Sequence, residues 1–187
     1  RVLFRSDLDV SSLNNIRGMH YSDKLGLLYV VSGTSFYDVT EAGVVTSRGT
    51  VPGGDGVIMA DNGTEVGIAN GSNYYVWDTS SSTFATVADS ASGLLRVRDI
   101  VYLDGRFILM EDNERLYMTD VQDAQTVTST NFTDVVANPD DLVGIAVANR
   151  RIYCFGTSSF DVYFNSAQAA AAGRFPIIRV DGAAKNG

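Results

Sequence analysis

The 187-residue sequence predicts an all-β protein, and three observations carry that reading. Short apolar runs rich in Val, Ile, Tyr and Phe recur between clusters of Gly, Asn, Asp and Ser, and no long stretch has helical periodicity. Asn-Gly and Asp-Gly pairs stand between the runs and supply the positive φ angles that tight hairpin turns need. The hairpins so defined recur with a constant phase.

The first hairpin runs from Leu28–Val31 through Ser32–Ser35 into Phe36–Val39, and the second from Val66–Ala69 through Asn70–Asn73 into Tyr74–Trp77. The third runs from Phe107–Met110 through Glu111–Arg115 into Leu116–Met118. The fourth runs from Ile152–Phe155 through Gly156–Ser159 into Phe160–Tyr163. Each second strand opens on an aromatic residue or Leu (Phe36, Tyr74, Leu116, Phe160), at steps of roughly forty residues. A further apolar run precedes each hairpin. Met19–Tyr21 lies ahead of Ser22–Gly26, and Ile58–Ala60 ahead of Asp61–Thr64. Ile100–Leu103 lies ahead of Asp104-Gly105, and Ile145–Val147 ahead of Ala148–Arg150. A fourth strand fits Val44–Ser47, Thr83–Val87, Thr126–Thr130 and Phe175–Arg179. Four strands in about 40 to 45 residues is the arithmetic of a β-propeller blade. Propellers close with about four to eight blades, so four blade-like repeats make either a closed ring or, as favoured here, part of a larger propeller. A meander sandwich with accidental spacing is disfavoured, because two separate turns keep the same phase.

Composition narrows the function. With 14 Lys+Arg against 22 Asp+Glu, the formal net charge is −8 and the pI about 4.5. An acidic chain argues against charge-held nucleic-acid binding, which comes from Lys and Arg displacing counterions, and against docking on anionic membranes. A 45% apolar and 19% charged composition is that of a folded globular chain. No run approaches the roughly 18 apolar residues of a spanning helix. The one cysteine, Cys154, and the one histidine, His20, leave no internal disulfide framework, multi-Cys metal cluster or zinc triad to build.

The chain opens on Arg1 and stops at Ala183–Gly187 directly after strand-like residues, which suggests a piece of a longer protein. Arg1–Ser6 is also the in-frame translation of the end of a widely used short-read sequencing adapter. Residues 1–12 are therefore set aside as an assembly scar and leader, and 13–187 are assigned to a partial β-propeller domain. The competing reading of the first residues is an edge strand at Val2–Phe4.

The turns carry a resemblance. Met59–Thr64 resembles an apolar run into Asp-Asn-Gly-Thr, and Tyr102–Phe107 a Tyr-Leu-Asp-Gly-x-Phe segment. Asp140–Gly144 followed by Asn149–Gly156 resembles a proline/aspartate turn and a Leu-Trp-Leu-Phe-Gly-like strand. Tyr163–Ser166 and Phe175–Gly182 resemble Trp-Tyr-Asn-Ser and Phe-Pro-Phe-x-Arg-x-x-Gly segments. In that order, over roughly residues 13 to 182, the set is similar to the packaged-DNA stabilisation (tail accessory, head-completion) proteins of short-tailed phages, in their N-proximal part. Ile177 stands where an aromatic is common there, Gln168–Gly173 replaces a shorter turn, and a Gly-Cys segment after the final Gly is missing. The resemblance implies a virion structural protein at the portal-tail junction, assembled in the bacterial host cytoplasm. It implies a homo-oligomeric ring that helps retain packaged DNA, with portal and other tail or neck proteins as partners. It implies no catalytic residue, and with the charge and composition above the expectation is no cofactor or metal, no strong direct nucleic-acid binding and no membrane. The alternative is a carbohydrate-binding propeller module or a propeller glycosidase, which needs two carboxylates about 5 to 9.5 Å apart.

Asp61, Asp104, Asp140 and Asp141 sit in turn-forming clusters, where Asp is favoured for local backbone hydrogen bonding over metal or acid-base work. Gly53–Gly56 lacks a P-loop lysine, a following helix and the GxGxxG spacing, so it reads as an inter-blade loop rather than a phosphate cradle. His20 has no nucleophile to pair with in the sequence, and Cys154 lies inside an apolar strand, so a packed or surface histidine and an inert thiol are expected. Trp77, Tyr74, Tyr75, Tyr117 and Tyr163 are candidates for a sugar-stacking surface, but their recurrence at one position of the unit favours inter-blade packing. Asn62-Gly63-Thr64, Asn70-Gly71-Ser72 and Asn131-Phe132-Thr133 match the N-glycosylation pattern, which has meaning only in a eukaryotic secreted chain. Gln168–Ala172 fits a short helix or a loop equally.

Overall fold

The computed structural model describes residues 15–89, 93–94, 96–111, 115–135, 141–166, 176–180 and 185–186. They form four antiparallel meander sheets, each built from consecutive strands. The first holds β1 (Ile16–Ser22), β2 (Leu27–Ser32), β3 (Ser35–Thr40) and β4 (Val45–Thr50). The second holds β5 (Ile58–Asp61), β6 (Glu65–Ala69), β7 (Tyr74–Asp78), β8 (Thr83–Asp89) and the two-residue β9 (Gly93–Leu94). The third holds β10 (Val97–Leu103), β11 (Arg106–Glu111), β12 (Arg115–Thr119) and β13 (Val127–Asp134). The fourth holds β14 (Leu142–Ala148), β15 (Arg151–Gly156), β16 (Ser159–Asn165) and β17 (Ile177–Arg179), with β18 (Lys185–Asn186) also pairing β16. All four repeats anticipated from the turns are present, and each expected fourth strand has its counterpart in β4, β8, β13 and β17. The expectations at Val2–Phe4, Asp140 and Gln168–Ala172 lie outside the described residues.

Turn chemistry sets the hairpins. Asp104 and Gly105 have φ of 49° and 87°, and Asn149 and Arg150 of 49° and 57°, so each pair makes the two-residue turn whose backbone twist matches the strands it joins. At Asn62–Glu65 the amide of Asn62 donates to the carbonyl of Glu65 while Gly63 sits at φ 82°. The Asp61 carboxylate accepts from the Gly63 amide at 2.8 Å, the local bond expected of a turn aspartate.

The sheets stack face to face around their first strands: β5 lies against β1, β10 against β5, and β14 against β10. Comparable packing between β14 and β1 is absent among the described residues, so the series is open there. Three seams result. Tyr29, Val31 and Phe36 of the first sheet pack on Met59, Val66, Ile68, Tyr75 and Trp77 of the second. Ala69, Tyr74 and Val76 pack on Ile100, Phe107, Leu109 and Tyr117 of the third. Ile108, Met110, Leu116 and Met118 pack on Ile145, Ile152, Cys154 and Tyr163 of the fourth. The first strands approach closely enough that a Cβ on Gly18 would overlap the Val57 carbonyl oxygen, so glycine is required there.

Candidate functional site

Polar groups lock each seam. Between the first and second sheets, His20 Nε2 lies 2.6 Å from Asp61 Oδ2, and Ser22 Oγ donates to Asp61 Oδ1 at 2.8 Å. Burial pushes the Asp61 carboxyl up, but the hydrogen bonds from His20, Ser22 and the Gly63 amide outweigh it and hold the carboxyl below its ordinary range. The aspartate stands between serine and histidine, so the histidine cannot take a proton from the serine as a catalytic triad requires. The trio is a strut, with Asp61 serving both its turn and the neighbouring sheet. The Arg48 guanidinium, paired with Asp38 at 2.7 Å, lies over the Trp77 ring at 5.3 Å to the centroid. Tyr29 stacks on Phe36 and keeps a buried hydroxyl without a hydrogen-bond partner among the described residues; burial, then the charges of Asp38 and Asp61, push it up to about 12.

Between the second and third sheets the Ala124 peptide is gripped from both sides. Its amide donates to Glu65 Oε2 at 2.9 Å, and its carbonyl accepts from the Tyr74 hydroxyl at 3.0 Å. Burial, followed by the nearby Glu65, raises the Tyr74 hydroxyl well above its usual value. Between the third and fourth sheets, Asp99 accepts from the amides of Ile145 at 2.8 Å and Ile100 at 2.7 Å, and Arg150 pairs with Asp104 at 3.0 Å. Burial raises the Asp99 carboxyl despite those two amides.

The residues singled out in the sequence take structural places. Cys154 is buried, and burial followed by Asp161 pushes its thiol up, away from the reactive thiolate. Trp77, Tyr74, Tyr75, Tyr117 and Tyr163 are all buried, none more than 5% exposed, so these rings present no face to a sugar. Asn62 and Asn70 cap turns: their Oδ1 atoms accept from Thr64 and Glu65, and from Ser72 and Asn73. Among the described residues no group of three or more His, Cys, Asp and Glu is placed to hold a metal. Gly53–Gly56 does connect the first two sheets, and it is tied down by Arg17, whose Nε donates to the Asp55 carbonyl at 2.7 Å.

Arg17 belongs to a feature that spacing alone did not bring out. The pairing register shifts between Ile16 and Gly18 in β1, between Val97 and Asp99 in β10, and between Leu142 and Gly144 in β14. The extra residues of these bulges are Arg17, Arg98 and Val143, one at the same place in three first strands. Bulges re-aim a side chain, and here two of them aim arginines into one cleft beside β5. The signal was present as an arginine at nearly the same distance ahead of Phe36 and of Leu116.

Four meander sheets stacked around their first strands, with polar struts along the seams, define a β-propeller whose conspicuous surfaces are faces and loops. The chain belongs to the phage stabilisation family described as Bacteriophage P22 Gp10, beta-propeller, whose model matches residues 9–184. This is a family of phage structural proteins. No curated protein sequence matches the chain. Among solved structures it is similar to PorZ, a bacterial surface component of the type-IX secretion system of Porphyromonas gingivalis, with TM-score 0.63 and 18% identity. That match covers 91% of this chain and 23% of PorZ, so the chain spans under a quarter of that protein's length. It is also similar to the computationally designed Ika4 protein, with TM-score 0.60 and 7% identity over 81% of this chain and 91% of that one. A chain of the Mitotic Checkpoint Complex gives TM-score 0.59 and 16% identity over 98% of this chain and 57% of the other. At these identities the likeness is one of fold.

Proposed function

We propose that the protein is a virion structural component at the portal-tail junction, which helps retain packaged DNA through oligomeric protein contacts and without catalysis. The family match over residues 9–184 carries the reading. Two physical features support it. The fourth sheet has an apolar face with Phe155 42%, Phe164 38% and Ile178 41% exposed, a surface suited to further sheets of a larger ring or to a partner. The excess of carboxylates over cationic groups disfavours tight contact with phosphate, so duplex next to the protein slides rather than sticks.

The test is assembly. The full chain is incubated with purified portal rings, with and without other tail proteins, and sedimented. Co-sedimentation at a fixed ratio is expected, as is DNA leakage from particles assembled without the protein. Failure to join either portal or tail proteins overturns the junction role, and strong affinity for duplex DNA at physiological salt overturns the contact-only mode of retention.

A further inference from the structure

We propose that the cleft beside β5 is a binding site for the carboxylate of an acidic peptide segment, held by Arg17 and Arg98. The cleft, about 520 Å³, is lined by Arg17 and Arg98 together with Asp55, Asn70 and Ser72. Its two cations, like the exposed Arg151, lack among the described residues the aspartate partner that five other arginines have. Arg48, Arg106, Arg115, Arg150 and Arg179 each pair with an aspartate within 4 Å. Arg17 instead donates to four main-chain carbonyls, those of Asp55, Gly33, Val51 and Pro52. Carbonyl dipoles fix the guanidinium in place without cancelling its charge, and one N–H on Nη2 remains unspent. Arg98 is exposed and has no hydrogen bond or ion pair among the described residues. In a chain with eight more carboxylates than cations, two arginines that line one cleft without an ion pair to either among the described residues, against the single aspartate Asp55 there, leave a net positive site for an anion.

The chemistry of the rim selects the anion. A guanidinium fork suits a carboxylate or a phosphate. Asp55 also lines the cleft, which favours an anion with one charge at the point of contact, a carboxylate rather than a phosphate dianion. The volume exceeds what one carboxylate fills, leaving room for the main chain beside it, for which Asn70 and Ser72 are polar neighbours. This site stands on geometry alone and does not require the portal-tail role.

The probe is a fluorescent tetraglutamate peptide capped at both ends, titrated into the full chain at fixed ionic strength beside its tetraglutamine counterpart, inorganic phosphate and a short DNA duplex. Tetraglutamate is expected to bind and tetraglutamine not. Arg98→Ala is expected to weaken tetraglutamate about tenfold or more, the loss of one hydrogen bond to a charged group. Arg98 is exposed and makes no contact the fold needs, and Arg98→Gln repeats the test if the alanine variant loses its β-sheet circular dichroism. Arg151→Ala, an exposed arginine on the fourth sheet, is expected to leave binding unchanged. The proposal is overturned if tetraglutamine binds equally, if no probe binds, if neither Arg98 variant weakens binding, or if phosphate or duplex binds more tightly than tetraglutamate.

Discussion

Phe36, Tyr74, Leu116 and Phe160 occupy one position of four successive sheets, each paired with a residue at or next to the end of the preceding strand: Val31, Ala69, Met110 and Phe155. At the first three places both partners are buried, at 1% exposure or less. In the fourth sheet Phe160 is half-buried and Phe155 is 42% exposed, on the face that continues through Phe164 and Ile178. Local sequence therefore makes the same apolar pair four times, and only the neighbour decides whether it becomes core. Each blade face is half of an interface, and its contribution to stability exists only once the next sheet is laid on it.

The largest expected effect sharpens that contrast. Tyr74→Ala removes a fully buried ring and its bond to the Ala124 carbonyl, and is expected to destabilise the chain by about 3 to 5 kcal/mol. Phe160→Ala, an aromatic-to-alanine change at the same position of the fourth sheet, is expected to cost under about 1 kcal/mol, because among the described residues no sheet faces the half-buried ring it removes. Urea midpoints of the two variants measure the difference. Equal losses would mean that the fourth face is as fully packed as the seams.

The second contrast compares two glycines that follow equivalent bulges. A Cβ on Gly18 would overlap the Val57 carbonyl oxygen, a backbone atom that moves only if the two sheets part, whereas on Gly144 it would meet the Asp99 carboxylate at 3.4 Å. Gly18→Ala is expected to destabilise by about 1 to 3 kcal/mol, as overpacking does, and Gly144→Ala by less than about 1 kcal/mol. Thermal unfolding of both, with hydrogen exchange at the Val57 amide, which donates to the Arg17 carbonyl, locates the damage at the first seam.

These positions also mark what the sequence made legible. Strand count, turn placement and repeat period were readable because they depend on local sterics: Asp104-Gly105 and Asn62-Gly63 dictate their turns whatever surrounds them. The burial of Trp77 and the tyrosines was readable from their recurrence at one phase. The seam struts were not. His20 reaches Asp61 across 41 positions and Glu65 reaches Ala124 across 59, and neither pairing leaves a local pattern. The Arg17 and Arg98 cleft was hidden for another reason, since a bulge changes where a side chain aims without changing the apolar rhythm around it. Gly53–Gly56 reads as an inter-blade loop without a P-loop lysine, a following helix or the GxGxxG spacing, and nothing local foretells that Arg17, 38 residues away, ties it down.

The smallest expected effect separates the first seam from the third by pH. Asp61 is held below the ordinary carboxylate range in the folded chain, so the unfolded chain binds its proton first on acidification. Its contribution to stability is present above the unfolded value and is lost as pH falls through the folded one. Asp99 is raised by burial, so the folded chain binds its proton first, and its contribution is present below the unfolded value and is lost as pH rises through the folded one. Asp61→Asn is therefore expected to flatten the acid limb of the stability profile, while Asp99→Asn removes a slope of opposite sign at the upper edge of the carboxylate range. Urea midpoints measured across that range for the parent and both variants read the two slopes directly. Slopes of the same sign would mean that the two aspartates, though each ties one sheet to the next, are not set apart by the difference seen here: hydrogen bonds from His20, Ser22 and an amide outweighing burial at the first seam, and burial outweighing two amides at the third.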